Sequence, residues 1–241
     1  MKRSIKIVII VLAIILLAYI GLKLSVIISV NSRTAYLPDF KVQEIKVNKV
    51  EFENPETING ITFDLKYGLK PQESDTFITY KNDDETVSLF IANTTDNDVN
   101  VNSGKEYVTD YSYISSLFIN AKAYDKYIAK QGIKSFGELS VSTVKDTKDL
   151  SLITALYPLP LYQQELTRTI LKNTLVPVTV DTVYVANSDD YDIVIFKCDN
   201  TYYYNAYAKD DANSFVLTLG NKANVLSDQE VINYLASIEL G

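Results

Sequence analysis

The 241 residues are 47% hydrophobic and 22% charged, a globular balance that excludes a disordered or fibrous chain. Histidine is absent and cysteine occurs once, which excludes Ser-His-Asp and Cys-His catalysis, His-ligated metal sites and an intrachain disulfide. Beyond position 30 the chain holds 19 basic and 30 acidic residues, a charge of −11 that repels nucleic acid, so no nucleic-acid partner is expected.

The first thirty residues, MKRSIKIVIIVLAIILLAYIGLKLSVIISV, are apolar without a break from Ile7 to Leu22, and after Lys23 the run resumes to Val30. A helix from Ile7 to Val30 would reach roughly 36 Å, enough to cross a bilayer core with some tilt. Lys23 is then expected to snorkel to the headgroups beside Tyr19. Lys2, Arg3 and Lys6 precede the run, and the positive-inside rule keeps the N-terminus in the cytoplasm. Residues 1–30 thus read as a transmembrane signal-anchor, 31–43 as a stalk containing Pro38, and 44–241 as an extracytoplasmic domain. The competing reading is a secreted factor released by cleavage near Ser32, although no A-x-A site is present there. Cys198 lies far from any lipidation position.

From QEIKVNKVEFE onward the pattern is strand-like, and the Asn59-Gly60 pair suits a positive-φ turn. ITFDLKYGL continues with Ile61, Phe63, Leu65 and Tyr67 in period two, and TFITYK with TVSLFIAN reads as a hairpin across Asn82 to Glu85. The middle changes period. YISSLFINAKAYDKYIAKQG is expected to be helical up to Gly132, TKDLSLITALY helical as far as Pro158 and Pro160, and YQQELTRTILKNTL helical before Pro177. Four strands follow, VTVDTVYVAN, YDIVIFKC, TYYYNAYA and SFVLTLG, whose short polar connections demand an antiparallel meander. Ser227 with Glu230 forms a capping box that opens a final helix with Val231, Ile232, Leu235 and Ile238 as its buried face. The expected class is α+β: an antiparallel sheet covered by helices on one face, preceded by the transmembrane helix.

The strand SFVLTLG, its polar link and the capped helix ending in ASIEL resemble the C-terminal pattern of PsbP/Mog1-like domains of exported proteins in low-GC Gram-positive bacteria. The resemblance covers about the last sixty residues, and it implies a fold and no activity.

No phosphate-cradling glycine loop is present. Asp96, Asp98 and Asn100 stand at the alternate spacing of calcium ligands, but Val101 occupies the position of the turn glycine and Tyr107 that of the bidentate glutamate, so a solvated loop explains them better. Asp189, Asp190 and Asp192 read as a solvated hairpin turn. Cys198 ends an apolar strand and reads as a small buried hydrophobe. In TYYYNAYA, Tyr202 and Tyr204 share one face and Tyr203 and Tyr207 the other, so these four tyrosines are either strand packing or, with one face uncovered, a ledge for a peptide or glycan. No cofactor is expected. The residues favour a membrane-anchored, non-catalytic binding or assembly module at the cell envelope, with an envelope protein or peptide as partner. The rivals are a histidine-independent hydrolase or transferase using Ser, Lys or Asp, and the secreted factor.

Overall fold

The structure, a computed structural model, describes residues 2–34, 39–47, 51–72, 78–92, 100–146, 150–210 and 214–241. In chain order the elements are α1 (Lys2–Thr34), β1 (Lys41–Glu44), β2 (Pro55–Ile58), β3 (Ile61–Asp64), β4 (Lys70–Gln72), β5 (Ile78–Lys81), β6 (Val87–Ala92), α2 (Ser103–Thr109), α3 (Tyr113–Ser116), α4 (Ala121–Gln131) and α5 (Phe136–Lys145). A 3-10 turn (Leu152–Leu156) leads to α6 (Leu159–Leu175), β7 (Thr182–Asn187), β8 (Tyr191–Cys198), β9 (Thr201–Ala208), β10 (Ser214–Asn221), α7 (Asp228–Ala236) and β11 (Glu239–Leu240). The chain groups into two compact units, one of Met1–Tyr36, Lys105–Gly132 and Thr147–Thr174, the other of Leu37–Gly104, Ile133–Asp146 and Leu175–Gly241.

The second unit is built on an eight-stranded sheet of order β1-β7-β8-β9-β10-β6-β5-β4. The meander from β7 to β10 is antiparallel throughout, as its short connections require. The class is α+β, with two additions to the expected sheet. First, β1 pairs parallel with β7, Lys41 facing Thr182, which the long intervening chain permits. Second, helices lie on both faces. Tyr202, Tyr204, Leu217 and Leu219 meet Val231, Ile232 and Leu235 of α7, and Ile61 and Phe63 of β3 join that core from a small sheet of order β11-β3-β2. On the opposite face, Val183, Val185, Val194, Phe196 and Cys198 pack with Val144 of α5, because β8 is apolar on both sides and needs two covers. The β2–β3 turn uses Asn59 (φ 51°) and Gly60 (φ 77°), as the pair suggested. The period-two pattern past Asp64 does not continue the strand: the buried Asp64 carboxylate accepts the Glu53 and Asn54 amides (3.2 and 3.0 Å) and the chain turns away.

The first unit is helical. The long middle helix expected from position 113 is split, since Asn120 accepts the Ala123 amide and starts α4 afresh, with Gly132 (φ 70°) closing it. TKDLSLITALY forms a 3-10 turn at 152–156, and Pro158 and Pro160 introduce α6 instead of ending a helix, Pro160 sitting in its first turn where a missing N–H costs nothing. The stretch expected to be a stalk, 31–43, holds the end of α1 and most of β1, while 35–38 lie outside the described residues. Helix α1 is long and apolar enough to cross a membrane, over Ile5–Ser32. From Ile5 to Leu22 its side chains are exposed except for the half-buried Ile20, whereas Lys23, Val26, Ile27 and Val30 are buried.

Helix α5, in the second unit, had a signal that periodicity did not reveal. Ser135 accepts the Glu138 amide (3.1 Å), an S-x-x-E start. Its first turn approaches β8 so closely that a Cβ on Gly137 would stand 2.7 Å from the Asp192 Cβ and 3.0 Å from the Tyr207 Cβ. A Gly137→Ala substitution should therefore cost about 1–3 kcal/mol through overpacking. Urea unfolding of the variant against the parent measures it.

Candidate functional site

The tyrosine strand is chiefly core. Tyr202 and Tyr204 are 0% exposed, Tyr207 is half-buried with its ring T-shaped on Phe136 at 5.2 Å, and Tyr203, at 39%, is the most exposed of the four. They form no continuous ledge, because α7 covers one face and α5 reaches the other at Tyr207. The Tyr202 hydroxyl donates to Asp228 Oδ1 (2.7 Å) while Lys197 Nζ donates to Oδ2 (2.6 Å), tying the first turn of α7 to β8 and β9. The Lys197 ammonium, helped by the Tyr202 hydroxyl and opposed by partial burial, holds Asp228 below the usual carboxylate range. Burial pushes the Tyr202 and Tyr204 phenols up, and the Tyr204 hydroxyl has no hydrogen-bond partner.

Asp96 and Asp98 lie outside the described residues. Asn100 is placed in a turn, its Oδ1 accepting the Asn102 amide (2.9 Å) and its own amide donating to Ser103 Oγ (3.2 Å) at the start of α2. Among the described residues no group of three or more carboxylates and cysteines is gathered to hold a metal. Cys198 is buried, its thiol pushed up first by that burial, as suits a structural side chain.

The second unit holds a cleft of about 270 Å³ where the β7–β8 turn meets the end of α7 and β11. Ser188, Asp190 and Tyr191 line one wall and Ser237, Ile238 and Leu240 the other. Sequence reading took 189–192 for a solvated turn; what it could not show is that the last residues of the chain close over that turn. The turn is tightly bonded: the Ser188 hydroxyl accepts the Tyr191 amide (2.9 Å) and donates to its carbonyl (3.3 Å), while Lys209 Nζ donates to the Ser188 carbonyl (2.5 Å). Serine and lysine are thus neighbours without being a dyad, since the amine addresses the carbonyl and the hydroxyl is engaged in its own turn. The cleft offers two carboxylate residues, Asp190 and Glu239, a tyrosine and aliphatic side chains, which suits reversible contact with a short polar-apolar segment.

Asp192 is the unusual titratable group of this unit. It is buried beneath α5; Asn187, its partner across β7 and β8, donates to its Oδ1 (3.2 Å) once the Asn187 amide is turned to satisfy its neighbours, while Oδ2 has no hydrogen-bond partner. Desolvation raises its pKa and Glu138 adds to the rise, with Lys209 and the Ser135 hydroxyl opposing.

In the first unit, Lys23 does not reach toward headgroups. It is 2% exposed, its ammonium donating to the carbonyls of Tyr157 (2.7 Å) and Ala155 (3.4 Å) and lying over the rings of Tyr19 and Tyr162, 4.9 and 4.7 Å from their centroids. Tyr162 in turn donates its hydroxyl to the Lys23 carbonyl (3.0 Å). Two carbonyl dipoles and two aromatic faces take the place of water around the cation.

No protein-family model matches the chain, and no curated protein matches it.

Two measurements test this geometry. Tyr204→Phe removes an unpartnered buried hydroxyl and should raise stability by about 1 kcal/mol, whereas Tyr203→Ala on the open face should cost under about 1 kcal/mol; chemical denaturation of both separates core from ledge. For Asp192, a pKa raised in the folded state means that its ionisation opposes folding, so the penalty is absent in acid and grows as pH rises through the folded-state value. Asp192→Asn should accordingly gain melting temperature on the parent as pH is taken from acid to neutral, and a pH-independent difference would show that ionisation is not what burial opposes.

Proposed function

We propose that the chain is a single-pass protein of the cell membrane, N-terminus in the cytoplasm, whose extracytoplasmic part is a non-catalytic binding or assembly module at the cell envelope. One observation carries the anchored reading: α1 is apolar and largely exposed from Ile7 to Leu22 and then continues, without a break, into the core of a helical unit. Val26, Ile27 and Val30 are buried there, and each contributes about 1.5–3 kcal/mol of hydrophobic stabilisation. Asn31 Nδ2 donates to the Leu150 carbonyl (2.7 Å), and Asn173 Nδ2 to the Val30 carbonyl (3.2 Å). Cleavage near Ser32 would strip this unit of its central helix, which speaks against the secreted factor. Lys2, Arg3 and Lys6 support the cytoplasmic end.

The binding part of the proposal rests on the small cleft at Asp190, Tyr191 and Ile238, where no nucleophile and base are aligned, and its expected occupant is an envelope protein or peptide. A PsbP/Mog1-like character of the sheet-bearing unit belongs to the same proposal, supported by β10 running into the capped α7, whose Val231 and Leu235 pack on that sheet.

The test is made on cells producing the full chain with a tag after Gly241. The protein should sediment with membranes, keep residues 1–30 by mass spectrometry, and lose its tag when protease is added outside intact cells after wall removal. A soluble product beginning near Arg33, or a tag protected until lysis, would overturn the reading.

A further inference from the structure

The outward-facing apolar stretch of α1, Ile7 to Leu22, is 16 residues long, about 24 Å of helix, less than a typical hydrocarbon core of about 30 Å. What lies beside its end is decided by the segment from Leu150 onward, which follows α5 in the chain. Leu150 is bonded to Asn31, and the chain then descends along α1 until the Ala155 and Tyr157 carbonyls meet Lys23. Asn31 to Lys23 is about 12 Å of helix. At that lower level the chain reverses through Pro158 and climbs as α6, whose Tyr162 is bonded to Lys23 and whose Asn173 is bonded to Val30. The reversal is thus a hairpin clamped along α1, with its tip beside the last residues of the exposed apolar stretch.

The tip is apolar where a soluble loop would be polar. Residues 151–161, SLITALYPLPL, contain no charge. Leu152, Ile153, Leu156, Tyr157, Leu159 and Leu161 are each between 40% and 66% exposed, a cluster of large hydrophobic side chains of the kind that marks an interaction surface. We propose that this tip is a membrane-interfacial wedge, seated in the acyl-headgroup boundary of the leaflet from which α1 emerges. The occupant is lipid, because the surface is continuous with the exposed apolar face of α1, lies at the same level along its axis, and carries aliphatic and tyrosine side chains with no charge, the composition of an interfacial belt. The wedge extends the short apolar length of α1 and sets the helical unit directly on the bilayer, without a stalk between them. This inference rests on the reading of α1 as a membrane span.

The experiment uses the full chain carrying Cys198→Ala, with one new cysteine per variant bearing an NBD fluorophore, reconstituted into phosphatidylcholine vesicles that contain lipids spin-labelled near the headgroup or deep in the chain. Leu12→Cys reports the span, Leu156→Cys the tip, and Lys126→Cys the exposed side of α4. All three positions are solvent-accessible on the protein, so the substitutions leave the core intact. The tip probe should be quenched by lipid, about twofold more by the shallow label than by the deep one. The span probe should show the reverse order, and the α4 probe neither. A quenched span with an unquenched tip overturns the wedge and leaves the anchor standing. A blue-shifted tip probe that lipid does not quench assigns the patch to a second copy or a partner helix, which also overturns it. An unquenched span overturns the membrane reading and the wedge together.

Discussion

The constraint on which the helical unit depends is the change of environment along one helix at Lys23. From Ile5 to Ala18 the side chains of α1 face outward all round; from Lys23 one side of the helix, Lys23, Val26, Ile27 and Val30, enters a packed interior. A cation at such a boundary is costly unless every ammonium proton is directed, and here carbonyls of Ala155 and Tyr157 and the faces of Tyr19 and Tyr162 take that role. The rings are fixed in turn, Phe118 bridging Tyr19 at 6.0 Å and Tyr162 at 5.3 Å. Lys23 thereby fixes the rotation of α1 against the unit and the depth at which the 3-10 turn sits.

In the sheet-bearing unit the governing constraint is that its central strands are apolar on both sides. Ile193 and Ile195 address the core under α7 while Val194 and Phe196 address α5, and β9 alternates in the same way, with Tyr202 and Tyr204 on the α7 face. Tyrosine serves there as a large hydrophobe with one polar atom to place. At Tyr202 the hydroxyl is placed on Asp228 and fixes the start of α7; at Tyr204 it is left unpartnered. The two phenols sit two residues apart on one strand face, so their difference comes from what the covering element offers at each level.

Much of this was legible in the sequence wherever structure is local. The meander, the Asn59-Gly60 turn, the Ser227–Glu230 capping box and the apolar length of α1 each follow from residues close in the chain. Three features were not. The parallel pairing of β1 with β7 joins residues about 140 positions apart and leaves no mark on either strand's pattern. The burial of Lys23 depends on Ala155, Tyr157 and Tyr162, so the lysine taken alone reads as a snorkelling residue. The candidate cleft is closed by Ser237 to Leu240 over Ser188 to Tyr191, a helix end and a polar turn whose meeting neither stretch announces. Helix α5 is the opposite case, since Ser135 and Glu138 announced it and the mixed polarity of FGELSVSTVK hid its period.

In the proposed membrane arrangement one helix belongs to both a lipid-facing stretch and a protein core, which couples two processes that are separate in a protein with a flexible stalk. Folding of the helical unit around Val26, Ile27 and Val30 fixes how far α1 can slide along the bilayer normal, because moving it by one turn would drag Lys23 from its carbonyls into hydrocarbon or pull Leu22 into water. Conversely, an inserted span would hold the upper part of α1 at a fixed place, and the 3-10 turn and α6 would pack on it with less loss of conformational freedom than two free segments would suffer. In the proposed arrangement the anchor is therefore a structural member of the helical unit that it tethers, and the position of that unit at the membrane is set by packing and not by linker length.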